Sequence, residues 1–130
     1  NSMNSVKSSH EIIRELMFQL CNSMEKVIID INEFDNDISE YKNTSKKEVA
    51  LKKSKNMSKC LSIIYGLQTC LDFDKAPEIA GSLFQLYEFS RQQVIKGFTK
   101  KNADGVMQAV KVIKEILDGW KKIPVEERKI

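Results

Sequence analysis

Glycine and proline are scarce in this chain, with five Gly and two Pro among 130 residues. A β-sandwich or barrel needs a turn signal roughly every 8–12 residues, and the sequence lacks that punctuation. There is one histidine, His10. It cannot supply the paired Glu-x-x-His motifs of a di-iron bundle, and a hydroxyl or thiol nucleophile elsewhere would have no other imidazole as its base. Gly66, Gly81, Gly97, Gly105 and Gly119 stand singly within helical pattern, so no glycine-rich loop cradles a phosphate. Close helix approach is expected at Gly66 and Gly81. Cys21, Cys60 and Cys70 are odd in number and match neither a metal nor a disulfide spacing. They read as small core or shoulder residues in a reducing cytosol. No apolar run approaches the roughly 18–20 residues of a membrane span, and no signal-peptide pattern opens the chain. No enzyme, cofactor or metal site is expected.

What the chain does contain is ordinary globular material, 42% hydrophobic and 30% charged. Residues 1–130 make one domain, with a flexible N-terminus over about 1–8 and a C-terminal tail at 123–130. Charge is segregated along it. From His10 to Tyr41 eight acids face two bases, and from Lys42 to Cys60 seven lysines face one glutamate. Adjacent segments of opposite sign suit helices packed side by side. The lysines read as a solvated face. No aromatics interleave them, so a nucleic-acid partner is not expected.

Four apolar stripes follow at the spacing of one helix face, stepping by three and four residues except in the second, which begins polar and becomes apolar. The first carries Ile13, Leu16, Leu20, Met24, Val27, Ile31, Phe34, Ile38 and Tyr41, and Ser8 with Glu11 forms a capping box before it. Asn43-Thr44-Ser45 ends it, and Ser45 with Glu48 opens the second stripe of Val49, Cys60, Ile64, Leu67 and Leu71. Pro77 sits where a first helical turn tolerates a missing N–H, ahead of Ile79, Leu83, Leu86, Ser90 and Val94. Asn102 is the expected N-cap of the fourth stripe, Val106, Val110, Ile113, Leu117 and Trp120, which Pro124 stops. Helices are predicted over 9–42, 46–71, 76–100 and 103–122. Short connections make neighbours antiparallel, so the predicted fold is an all-α, up-down-up-down four-helix bundle. Leu83 and Trp120 are expected to be structural, and His10 is expected on the surface of the first turn.

Apolar residues exceed what four inner stripes need. Phe18, Ile29, Leu51, Tyr65, Phe84, Phe89, Ile95, Met107, Val112 and Ile116 all project away from the stripe centres. Together they point to grooves that accept an amphipathic helix or a wrapping peptide. Tyr65, Phe84 and Ile95 lie on the shoulders of the second and third helices, and Val112 and Ile116 on the shoulder of the fourth. These five are candidate partner-binding residues.

Residues 71–89 read LDFDKAPEIAGSLFQLYEF. The Leu71-Asp72 pair closes a helix, a short loop follows, and then come Ile79-Ala80, Leu83 and Leu86-Tyr87. With Trp120 ending the fourth helix, this resembles the signature of the bacterial flagellar secretion chaperone FliS family. The resemblance covers residues 45–122 well and the first helix by pattern only. Residues 16–24 read LMFQLCNSM where the family carries a Leu-Tyr-Asp-Gly-Ala-type run, and Lys75, Ala76 and Pro77 replace loop glycines. The resemblance implies a FliS-like bundle and a cytosolic, non-enzymatic chaperone. Such a protein holds the disordered C-terminal region of flagellin, prevents premature polymerisation and assists delivery to the flagellar export apparatus. It also adds Tyr87, in the matched Leu-Tyr pair, to the candidate binding residues. The alternative from the residues alone is a generic helical adaptor or regulator that binds another partner.

Overall fold

The computed structural model describes residues 7–33 and 46–123. It contains helices α1 (Ser9–Asn32), α2 (Lys46–Thr69), α3 (Pro77–Lys100) and α4 (Asp104–Lys121). α1 packs on α2 and α4, α3 packs on the same two from the far side, and α1 and α3 barely meet across the diagonal. Neighbours run antiparallel. His10 at the start of α1 meets Trp120 at the end of α4, and Asp30 near the end of α1 meets Asn56 of α2. The chain therefore forms the predicted antiparallel four-helix bundle. Its centre is filled by Met17, Leu20, Met24 and Val27 of α1, Cys60, Ile64 and Leu67 of α2, Tyr87 and Val94 of α3, and Val106, Ile113 and Leu117 of α4.

Local chemistry sets the ends. Ser8 is extended, and its Oγ accepts the Glu11 N–H at 3.2 Å. α3 begins at Pro77 and closes with Lys101 in the left-handed region at φ 55°, where the Lys101 and Asn102 N–H groups both reach the Gly97 carbonyl. Ala103 occupies the N-cap position of α4 predicted for Asn102. Asn102 still contributes, because its Oδ1 accepts the Asp104 N–H at 2.9 Å.

Several expectations are corrected. α1 ends at Asn32 instead of residue 42, with Glu33 as its cap. Its last turn carries Asp30 and no base, an unfavourable charge at the negative end of the helix dipole. Phe34, Ile38 and Tyr41, the Asn43-Thr44-Ser45 break, the Ser45 cap and Pro124 lie outside the described residues. Ile79 is 57% exposed instead of inward, because α3 is rotated so that Ala80 and Tyr87 occupy the buried line with Ser90 and Val94. Leu83 and Leu71 are half-buried against the core. Lys53 leaves the solvated lysine face altogether. It is buried, with Nζ 3.6 Å from Asp30, whose other oxygen accepts from Asn56 Nδ2 at 2.7 Å. The close glycines are Gly97, where a Cβ would lie 2.8 Å from the Asn102 carbonyl oxygen, and Gly105, which lies against the Gln93 side chain, whereas Gly81 has open space and Gly66 only ordinary contact.

The largest departure is His10, which is 2% exposed. Its Nε2 donates to the Trp120 carbonyl at 2.7 Å, Trp120 Nε1 donates back to the His10 carbonyl at 3.0 Å, and the rings stack with centroids 5.3 Å apart. This clasp joins positions 110 residues apart in sequence.

Candidate functional site

The six residues singled out from the sequence do not form one surface. Tyr65, Phe84 and Ile95 share the face between α2 and α3. That face is located by Gln68 of α2, whose Nε2 donates to Glu88 Oε1 of α3 at 2.8 Å. Tyr65 lies three residues before Gln68, Phe84 one turn before Glu88 and Ile95 two turns after it, so all three follow the same flank. Tyr65 is 69% exposed, Ile95 is exposed and Phe84 is half-buried.

Val112 and Ile116 belong elsewhere. They lie two and three turns on from Gly105, whose open side meets the Gln93 side chain of α3. Both are half-buried on the α3-facing flank of α4, and Ile116 packs against the core. Tyr87 is 1% exposed and belongs to the core itself. Burial pushes its phenol well above the ordinary range, so it stays protonated in the folded protein.

Two contributors to the α2–α3 face were not singled out from the sequence. Phe73, in the loop after α2, is exposed and meets Phe84 edge-on, with centroids 6.4 Å apart and planes at 62°. The loop is shaped by Asp72, whose Oδ1 accepts from the Asp74 and Lys75 N–H groups at 3.0 Å each. The second contributor is polar. Glu88 accepts from Arg91 through both oxygens as well as from Gln68, and these hydrogen bonds hold its carboxyl below the usual carboxylate range. The signal was available: Phe84, Glu88, Arg91 and Ile95 recur at helical spacing on one flank.

A second face, apolar at Phe18 and charged around it, lies between α1 and α4. Phe18 lines a hollow of about 310 Å³ with Cys21, Leu117, Asp118 and Lys121, bridged by Glu25 and Lys114 at 3.7 Å. Ile29 and Met107 are exposed further along the same helices.

Other chemistry is sparse. Cys21 and Cys60 are buried, and burial pushes their thiols up to about 11 and about 12. Cys70 is exposed at the end of α2. Among the described residues no group of His, Cys, Asp and Glu side chains is placed to hold a metal ion. Nor is any helix among them long and apolar enough to cross a membrane. The arrangement offers long apolar faces with a polar centre, which is chemistry for holding another helix.

Comparison with known proteins agrees with the helical signature. The chain is 32% identical over 74 residues to the flagellar secretion chaperone FliS of Vibrio cholerae serotype O1, covering 57% of this chain and 54% of that protein. It is 29% identical over 72 residues to the flagellar secretion chaperone FliS of Salmonella typhimurium, covering 55% and 53%. The matched stretches thus span about half the length of these relatives. No solved structure matches the chain. The model of the family described as flagellar protein FliS matches residues 1–127, nearly the whole sequence, and the chain belongs to that family.

Proposed function

We propose that this protein is a cytosolic export chaperone that holds the disordered C-terminal segment of flagellin, prevents its premature polymerisation and assists its delivery to the flagellar export apparatus. The observation that carries the reading is the α2–α3 face. Tyr65, Phe73 and Ile95 are exposed there on a rigid bundle, beside the half-buried Phe84. A surface of this kind suits an amphipathic helix with apolar anchors at three- and four-residue spacing. The separate α1–α4 face around Phe18, Ile29 and Met107 gives a long partner further apolar surface to wrap. A disordered segment loses conformational entropy on binding, and extended apolar contact is the physical means of offsetting it.

Calorimetric titration with a flagellin C-terminal peptide tests the proposal. Tyr65→Ser and Ile95→Ser remove exposed side chains, so each should weaken binding while the melting temperature changes little. Polar replacement of Ile116 should lower stability as well, because that side chain touches the core. Unchanged affinity in the Tyr65 and Ile95 variants would reject this face. Absence of binding by the unmodified protein would reject the chaperone reading for that flagellin.

A further inference from the structure

The α2–α3 face has a polar centre whose remaining hydrogen-bonding groups face solvent. Glu88 Oε1 accepts from Gln68 Nε2 at 2.8 Å and from Arg91 Nε at 3.0 Å, and Oε2 accepts from Arg91 NH2 at 2.9 Å. Three N–H groups from its two neighbours thus occupy most of the carboxylate, with Arg91 Nε shared between both oxygens. Arg91 has more donors to offer. A guanidinium carries five N–H donors, and among the described residues only its Nε and one terminal nitrogen are engaged. Gln68 keeps its carbonyl oxygen and one amide hydrogen. The Arg91 and Glu88 side chains are 42% and 23% exposed, so the cluster sits at the surface and not beneath it.

A partner helix laid along this face would cover the cluster. An aliphatic side chain above it would strip water from the unspent donors and from the Gln68 carbonyl without replacing their hydrogen bonds. A carboxylate would meet Glu88, and an ammonium would meet Arg91. The Arg91–Glu88 pair is neutral overall, and what it and Gln68 leave open is donors beside an acceptor. A primary carboxamide is complementary to that set: its oxygen accepts from Arg91 and its NH2 donates to the Gln68 carbonyl.

Resting on the chaperone reading above, we infer that Gln68 and Arg91, held by Glu88, determine the partner's register by receiving an Asn or Gln side chain of the docked helix. The spacing on α3 gives the pattern. Phe84 and Ile95 flank Glu88 at four and seven residues, about 6 Å and about 10 Å along the helix axis. The partner carries an apolar residue, a carboxamide four residues away and a second apolar residue seven beyond that, in this order or its reverse. One buried Asn likewise sets register in coiled coils; here a Leu in its place would also leave the Arg91 donors covered without a partner, so the amide favours binding as well as register.

The experiment is a set of double-mutant cycles by calorimetry. The probe is a flagellin C-terminal peptide in which each Asn and Gln is replaced by Leu in turn. It is titrated into the unmodified protein and into Gln68→Met, Arg91→Met and Arg91→Lys variants, with circular dichroism and melting as folding controls. One peptide amide should be sensitive, its replacement weakening binding about tenfold in the unmodified protein. That effect should shrink in Arg91→Met and Gln68→Met and return only in part in Arg91→Lys, which keeps the charge without the planar fork. If no amide couples to either residue while Tyr65→Ser still weakens binding, the inference is overturned and the chaperone reading stands. Coupling to a peptide carboxylate instead of an amide also overturns it. If the peptide does not bind the unmodified protein, both fall.

Discussion

Replacing Gly97 with alanine sets two local effects against each other. Within a helix, Gly→Ala gains about 1 kcal/mol because alanine loses less backbone entropy on folding. At this position the new methyl would lie 2.8 Å from the Asn102 carbonyl oxygen and 2.8 Å from Val106 Cγ2, with Ile31 Cδ1 at 3.6 Å. Carbon needs roughly 3.5–4.0 Å from such neighbours, so the Asn102 carbonyl must retreat by roughly 0.7 Å or more. It is not free to do so, because Asn102 N–H is bonded to the Gly97 carbonyl at 3.0 Å and Lys101 before it is already left-handed. Overpacking of this kind costs about 1–3 kcal/mol, and loosening the turn bond adds about 1 kcal/mol. The net expectation is a loss of about 1–3 kcal/mol.

Gly119 supplies the control, since a methyl there meets nothing within 4 Å. Gly119→Ala should gain about 0.5–1 kcal/mol. Gly105→Ala touches only the end of the flexible Gln93 side chain, which can rotate away, so it should be close to neutral. Urea unfolding of the three variants reads the order directly, and thermal melting should separate Gly97→Ala from Gly119→Ala by several degrees. If Gly97→Ala proves as stable as Gly119→Ala, the close approach of α3 to the start of α4 is wrong.

The clasp and the cysteines give further tests. Trp120→Phe keeps a six-membered ring against His10 but removes the pyrrole half of the indole with its N–H, so it should cost about 2–3 kcal/mol, against about 3–5 kcal/mol for Trp120→Ala; no loss on Trp120→Phe in urea would show that the indole hydrogen bond contributes nothing separable from packing. A thiol reagent at pH 8 should label Cys70 rapidly and Cys21 and Cys60 only on unfolding, because the last two are buried; rapid labelling of three thiols in the native protein would contradict the core. Since burial raises the Cys21 and Cys60 thiols, the folded state keeps protons that the unfolded chain releases. Their contribution is complete below the ordinary thiol pKa of about 8.5 and is lost as pH rises through about 11 to 12. Native stability should accordingly decline above pH 9, and a Cys60→Ala variant should show a shallower alkaline decline by urea titration.

Part of the candidate surface was legible because helical spacing is a strictly local property. Tyr65, Phe84 and Ile95 project off their stripes, and the structure leaves Tyr65 and Ile95 exposed. Val112 and Ile116 project off theirs by the same arithmetic, yet α3 covers that flank of α4. Periodicity tells how far a residue lies from the centre of a stripe, not whether a neighbouring helix reaches it. Tyr87 follows the same logic in reverse: α3 is rotated enough to carry the ring into the core and leave Ile79 outside.

Sequence pattern alone specified the all-helical class, the antiparallel order and the inner face of α4, where Val106, Val110, Ile113, Leu117 and Trp120 are all buried. It also determined the Ser8 cap and the start of α3 at Pro77. These depend on hydrogen bonds and side-chain spacing within a few residues, which the order of the chain specifies directly. Tertiary packing alone buries His10 against Trp120, draws Lys53 inward to Asp30 and sets the Asn102 backbone against Gly97. Each of those outcomes depends on a partner from another helix, and the rotation of one helix against the next follows from the packing of large side chains such as Tyr87, a quantity no local pattern contains.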